Sequence, residues 1–419
     1  MKRSLIAIDL FSGAGGLSEG FFRTNYKFIS HIEMDRYASM TLETRAMYHA
    51  LKANKMEDTY YSYISGEIPR EVLLGEGGKF VDPDIIIREE ISEDNKKAII
   101  KKIEGNMRKN DLKKVDIIIG GPPCQSYSIA GRARDPGKMK RDPRNYLYLH
   151  YLTFIKEFKP HIFVFENVLG IKSARNGQIY RDFLNRTEKL GYRVKGNVLD
   201  SKDFSVLQRR RRVIFIGWRT EYRGLEYPPF TPIEHDYTVS SLLDDLPPLN
   251  PGKGKDDPQE FWGPPSEYLR KSGIRTSRDV LIQHRAREHN ERDREIYRRV
   301  ISIWDSEHRR IRYNELPEHL KTHNNRKSFL DRFKVVAPDL KYTQSITAHI
   351  SKDGHYYIHP DPGQARSITV REAARIQSFP DNYKFEGPRT SQYTQIGNAV
   401  PPLMAERIAG EIKKMLGEI

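Results

Sequence analysis

Short apolar runs separated by longer amphipathic stretches make up the first half of the chain. Runs at Leu5–Leu10, Lys27–Ile32, Asp84–Ile87, Val115–Ile119, His161–Phe165, Tyr192–Leu199 and Arg212–Gly217 predict strands. Tyr37–Leu51, Asn145–Phe158 and Ile179–Leu190 carry helical spacing between them. Unbroken apolar segments such as "VDIII" and "HIFVF" suit strands buried on both faces. This alternation predicts an α/β fold with a doubly wound, mainly parallel sheet. Residues 50–115 are long for one connection and predict a partly loop-like insertion.

The pattern changes after Trp218. "YPPFTP", "DLPPLNPGKGKDDP" and "WGPP" are rich in proline, glycine and charge and mark a boundary. A helix-like "RAREHNERDREIYRRVISIW" follows, then "YTQSITAHISKDGHYYIHP", where Asp353-Gly354 predicts a hairpin turn. Helical patterning returns near Arg366 and runs to "PPLMAERIAGEIKKML". The expected organisation is 1–220 as one unit, 221–365 as a second unit with its linker, and 366–419 as a closing segment.

Charge sharpens this division. The formal net charge is +15, and 18 Lys/Arg against 10 Asp/Glu between Arg270 and Lys334 put more than half of it in one stretch. An excess of that size favours a polyanionic partner, nucleic acid first, over a merely solvated basic face. His284, His289, His308, His319 and His323 read as solvated or phosphate-contacting groups. No apolar stretch approaches the roughly 20 residues of a membrane span, and the N-terminus reads as a first strand, not a signal peptide. The single cysteine excludes an intramolecular disulfide and a cysteine-paired zinc site, which leads us to expect a reducing, intracellular setting and no metal.

Candidate chemistry falls at predicted strand ends, where α/β sheets bind ligands. "DLFSGAGG" follows the first strand; Gly13, Gly15 and Gly16 allow close backbone approach. Glu33 lies 20 residues after Gly13, the spacing of a ribose-gripping carboxylate. Ser18 holds the last position of a GxGxxG pattern, which counts against a dinucleotide. "GGPPC" sets Cys124 behind a stiff diproline, a context that favours a reactive thiol over a buried structural one. Glu166 closes "HIFVF", and in "QRRRR" strand alternation predicts Arg210 and Arg212 on one face and Arg209 and Arg211 on the other. The loop "GRARDPGKMKRDPRN" is cationic and suited to closing over phosphates.

Taken in order, "DLFSGAGG", "GGPPCQSYSIAGR", "FENV", "QRRRR", "TVREAARIQSFPD" and "QIGNAVPP" resemble the signature blocks of the DNA (cytosine-5) methyltransferases, bacterial restriction-modification type, over nearly the whole chain. The resemblance implies a Rossmann-like, S-adenosyl-L-methionine-dependent methyltransferase fold, a doubly wound mixed sheet with a smaller DNA target-recognition domain. In that family the last helix returns beside the first strand, so the resemblance implies 1–220 as the catalytic, cofactor-binding domain, 221–365 as the target-recognition domain with its linker, and 366–419 as the return to the catalytic domain. By motif position, Cys124 would be the nucleophile, Glu166 would contact N3 of the cytosine, and Arg210 and Arg212 would help hold the base. Phe11, Gly13, Ala14, Gly15, Gly16, Glu33, Met34, Pro123, Asn398 and Ala399 would surround the cofactor, with Glu90 the nearest match to an adenine-contacting acid. The resemblance further implies double-stranded DNA as partner, a monomer, a separately acting restriction endonuclease, and a bacterial cytoplasmic protein held at the nucleoid through DNA. A tRNA cytosine-5 methyltransferase and an inactive DNA-binding relative remain as alternatives, with a nucleotide-dependent oxidoreductase behind them.

Overall fold

The computed structural model describes residues 4–123, 146–323, 326 and 330–418. Seven strands form one sheet: β1 (Leu5–Leu10), β2 (Tyr26–Ile32), β3 (Ile86–Ile87), β4 (Ile117–Gly120), β5 (Ile162–Asn167), β6 (Tyr192–Asp200) and β7 (Arg211–Arg219). Their order is β3-β2-β1-β4-β5-β7-β6. All neighbours are parallel except β7, which runs against both β5 and β6. The mainly parallel, doubly wound sheet expected from the pattern is what the chain forms, with the mixed character that the resemblance implied supplied by β7.

Alternating residues of each strand feed two cores. Ile6, Ile8, Ile118, Phe163, Phe165 and Phe215 face one. Ala7, Ile117, Ile119, Val164, Ile214 and Ile216 face the other. The first is covered by α5 (Lys96–Lys109), α6 (Leu147–Phe158) and α7 (Gln178–Lys189). The second is covered by α1 (Gly16–Arg23) and by α12 (Pro402–Gly417), through Met404, Ala405, Ile408 and Ile412. The chain's last helix therefore lies against its first. Contact is close because Gly20 has no side chain: a Cβ there would stand 2.3 Å from the Glu406 nitrogen. Tyr26 Oη also donates to the Ala409 carbonyl at 3.1 Å.

Three expectations are corrected. The 50–115 insertion is mainly helical, carrying the end of α2 (Arg36–Ala53), α3 (Glu57–Ile64), α4 (Arg70–Gly77) and α5. Its short helices bury Tyr60, Tyr63, Ile64 and Leu73 against Met47 and Leu51 of α2. Asp84–Ile87 begins as a 3-10 turn, Pro83–Ile85, and pairs only through Ile86 and Ile87. Proline has no N–H for a ladder, and the Asp82 carboxylate accepts from Asp84 N at 2.9 Å, which favours a turn. The segment at 342–360 is not a hairpin. Gly354 does turn, with φ +80°, but Ala348–Ser351 coils into a 3-10 turn and Ile358 bridges singly to Val335 and Ser367.

After β7 come the two-residue ladder β8 (Gly254–Lys255) and β9 (His284–Arg285), α8 (Glu267–Lys271) and α9 (Glu291–Glu307). Asn290 caps α9 by accepting from Asp293 N, and Ile296, Tyr297, Val300, Ile301 and Trp304 form its buried face. The chain closes with α10 (Val370–Ile376), α11 (Arg389–Asn398) and α12. No helix of the described residues is long and apolar enough to cross a membrane.

Candidate active site at the carboxyl edge of the sheet

The parallel strands end at one edge, and the quoted motifs meet there. Directly after β1, Phe11 takes a left-handed conformation, φ 57°, and Ser12 N donates to the Ile32 carbonyl at 3.1 Å, binding the turn to the end of β2. Glu33 then grips the turn. Its Oε2 accepts from Gly13 N and its Oε1 from Asp35 N, both at 2.8 Å. Burial raises the pKa of this carboxyl; those two N–H bonds oppose the shift, and the charges of Asp35 and Asp9 add to it. A Cβ at Gly13 would meet nothing within 4 Å, so open space lies beside Glu33.

The other glycines serve packing. At Gly16 a Cβ would lie 2.4 Å from the Val400 carbonyl oxygen and 2.9 Å from Ala399 Cβ. Gly16 thus lets the "QIGNAVPP" turn touch the "SGAGG" turn. Ala14 offers its carbonyl to Tyr383 Oη, and Ser18, buried, donates to the Gly15 carbonyl at 3.2 Å. Met34 is 60% exposed beside Glu33, an unshielded apolar side chain at the mouth of the turn. Asn398 is exposed at the end of α11 while Ala399 is buried. Glu90 is exposed past β3, and its neighbour Glu89 is bound to Lys102.

A second cluster lies across the edge. Gly120 ends β4 and Gly121 follows it; a Cβ on Gly121 would come within 2.6 Å of Glu166 Oε2. The Glu166 carboxylate therefore sits over bare backbone, and Arg212 Nε holds its Oε1 at 2.8 Å. Asn167 Nδ2 donates to the Pro122 carbonyl at 3.3 Å, tying β5 to the diproline, and Pro123 is exposed. Cys124 and the cationic loop of 131–145 lie outside the described residues.

The arginine alternation holds. Arg210 is 1% exposed, whereas Arg209 and Arg211 face solvent. Arg210 donates through Nη1 to the Ile346 carbonyl at 2.5 Å and Ser345 Oγ at 3.2 Å, and through Nη2 to the Gly397 carbonyl at 2.9 Å. Burial, reinforced by Arg212, pushes its pKa well down. Its guanidinium thus binds the 345–346 segment to the "QIGNAVPP" turn. Two glutamines that sequence reasoning passed over do the same. Gln208 Nε2 donates to Gln377 Oε1 at 2.9 Å, and Gln208 Oε1 accepts from Ile346 N at 2.7 Å. Gln377 Nε2 donates to the Ile396 carbonyl at 2.6 Å. Both lie inside quoted motifs, yet an uncharged amide gives no signal until burial shows that it must be bonded.

The histidine reading needs correction at two positions. His284 is fully buried: its ring nitrogens face Thr369 Oγ1 and the Pro247 carbonyl, each at 3.0 Å, and burial lowers its pKa to about 4. His289 packs on Ser367 and Tyr297 and is likewise lowered to about 4. His308, His319 and His323 are exposed, as expected.

Sheet order and edge site define an α/β methyltransferase architecture. A prophage-encoded E. coli protein provisionally described as a DNA modification methyltransferase shares it with a TM-score of 0.66 at 24% identity, covering 99% of this chain and all of that one. The methyltransferase EhMeth of Entamoeba histolytica matches with a TM-score of 0.57 at 17% identity, over 99% of each chain. The family profile for C-5 cytosine-specific DNA methylases matches residues 89–414. The type II methyltransferase M.Bpa9945I of Bacillus paralicheniformis is 42% identical, with 98% of this chain and 99% of that protein aligned. M.DdeI of Desulfomicrobium norvegicum is 32% identical over 97% of this chain and 88% of its own. The chain belongs to the C-5 cytosine-specific DNA methylase family, of the bacterial type II restriction-modification kind.

Proposed function

We propose that this chain methylates carbon 5 of a cytosine flipped out of duplex DNA within a specific sequence, using S-adenosyl-L-methionine and a covalent bond from Cys124 to C6. The observation that carries the reading is the Glu166–Arg212 pair, seated over Gly121 at the same strand edge as the Glu33–Gly13 turn. A stacked cytosine cannot be reached on both edges, so the base must leave the helix.

The residues present suit the cofactor. Glu33 keeps both oxygens at the turn with open space beside Gly13, fit for ribose hydroxyls, and exposed Met34 offers an apolar surface to adenine. Phe11, Ala14, Gly15, Pro123, Asn398 and Ala399 complete the proposed surroundings, with Glu90 a further contact. When bound, S-adenosyl-L-methionine supplies the electrophilic methyl group that C5 takes up.

The protein's part is to make C5 nucleophilic. The Cys124 thiolate adds to C6, which turns the C5–C6 unit enamine-like. Glu166 contacts N3 and stabilises the charge that develops there. Arg212 fixes the Glu166 carboxylate and helps hold the base. Arg210, already bonded to the Ile346 and Gly397 carbonyls, positions the pocket wall. Loss of the C5 proton and expulsion of the thiolate restore the ring. Residues 221–365 read the DNA, and the modified site is protected from a cognate endonuclease.

Bisulfite sequencing of plasmid DNA from cells expressing the protein, beside Cys124→Ala, tests this. Protected cytosines in one short motif, absent in the variant, are the expected result. Protection in neither sample overturns the DNA reading and makes tRNA the next substrate to assay.

A further inference from the structure

We propose that Arg209 and Arg211, the two exposed arginines of "QRRRR", anchor DNA phosphates beside the base pocket. This rests on the duplex-DNA reading above and assigns the anchor to a place other than the basic stretch 270–334.

The cations of that stretch are largely committed within the protein. On α9, Arg294 and Arg298 both reach Glu291, at 3.0 and 2.9 Å, and Arg299 reaches Glu295 at 2.9 Å. Acids from other segments are drawn in as well: Asp245 to Arg275, Glu57 and Asp58 to Arg278, Asp256 to Arg285, Glu267 to Lys271. Arg287 and Arg332 are buried, over the rings of Tyr393 and Tyr313. The field at this stretch is therefore weaker than its sequence count, and a phosphate at any of these paired cations must displace an internal carboxylate.

Arg209 and Arg211 stand differently. Arg209 is 67% exposed, and its carboxylate neighbour, Asp200, is 4.0 Å away through Oδ2. The other oxygen of Asp200 accepts from Arg210 N at 3.0 Å. Arg211 is exposed and has no ion pair among the described residues. Both flank arginines whose charge is already engaged, Arg210 in the wall and Arg212 on Glu166.

Position completes the argument. Because β7 is antiparallel, its first residues fall at the carboxyl edge of β5, with Val213 opposite Asn167. Arg211 shares the Val213 face, where the 3-10 turn Leu169–Lys172 packs through Ile171 and leaves Lys172 exposed. Arg211, exposed and without an ion pair among the described residues, thus lies one strand position from Arg212 of the Glu166–Arg212 pair, with exposed Arg209 two residues before it. Guanidinium forks bind phosphate oxygens in pairs, and each phosphate neutralised releases counterions.

The test is the salt dependence of binding to a short labelled duplex, from about 50 to 200 mM salt. Arg209→Gln with Arg211→Gln should lower the slope of log affinity against log salt by about 1.8, the loss of two phosphate contacts. Arg209→Lys with Arg211→Lys should keep it, separating charge from folding. Arg294→Gln with Arg298→Gln should also keep it. A wild-type slope in the first variant, or an equal loss in the α9 variant, overturns the assignment. Absence of salt-dependent duplex binding by the unmodified protein overturns instead the duplex-DNA reading on which it rests.

Discussion

Gly121 shows how a missing side chain can shape a site. Its absent Cβ leaves the Glu166 carboxylate room at 2.6 Å, so Gly121→Ala should swing Glu166 off its position without unfolding the protein, since the displaced group is a side-chain end. We expect kcat/KM to fall at least about tenfold, roughly 1.4 kcal/mol of transition-state stabilisation, with cofactor affinity unchanged; steady-state kinetics with titrated cofactor separate the two. Glu33 yields a pH prediction. Its pKa is raised, chiefly by burial, so the carboxylate that ribose hydroxyls need takes up a proton at higher pH than an ordinary glutamate, whose value is about 4.3. Cofactor affinity should therefore weaken as pH falls, beginning above that value, and Glu33→Gln should be weak and flat with pH. Calorimetric titration of S-adenosyl-L-methionine at several pH values checks both.

Among the elements, the α1–α12 contact closes the chain on itself. Gly20 faces the Ala405–Glu406 backbone so tightly that a methyl group cannot fit without moving a helix. Gly20→Ala should destabilise by about 1–3 kcal/mol, the usual range for overpacking, although alanine is the better helix former. Arg23 pairs with Glu406 at 3.2 Å across the same helices but at the surface, so Arg23→Ala should change stability by less than about 1 kcal/mol. Thermal unfolding of the two variants side by side ranks packing against charge. Equal losses would show that the ion pair, and not the close approach, holds α12 in place.

At the scale of the whole molecule, buried polar groups join the late segments to the sheet. Arg375 is bonded to Asp381 and Asp245, and Arg366 to Glu372, which burial alone would raise but Arg366 holds low. His284, His289 and His359 lie among these groups, lowered to about 4, 4 and 3 by burial. Each binds fewer protons folded than unfolded between its folded pKa and the free value near 6.5. Stability is therefore full above about pH 6.5 and lost as pH falls, by up to about 3 kcal/mol each for His284 and His289 and more for His359. Melting temperature should drop from pH 7 to pH 5, and His284→Asn should flatten that drop. A melting temperature independent of pH over this interval would refute the neutral assignment.

What the sequence by itself determined is the part governed by local pattern. Apolar runs of strand length set the sheet, alternation set which arginines of "QRRRR" face inward, and a carboxylate 20 residues from Gly13 found the turn it grips. These follow from side-chain period and local spacing, which neighbours in sequence fix. Tertiary structure decided what depends on segments distant in the chain. Gly16 and Gly20 meet residues near 400, Arg210 is bonded to carbonyls at 346 and 397, and His284 loses its solvent to Thr369 and Pro247. Charge shows the difference most plainly: a count along the chain placed the cation excess at 270–334, but folding brings carboxylates from elsewhere onto it, while exposed Arg209 has Asp200 only at 4.0 Å and exposed Arg211 has no ion pair among the described residues. Coulomb energy depends on separation in space, and only the fold fixes that.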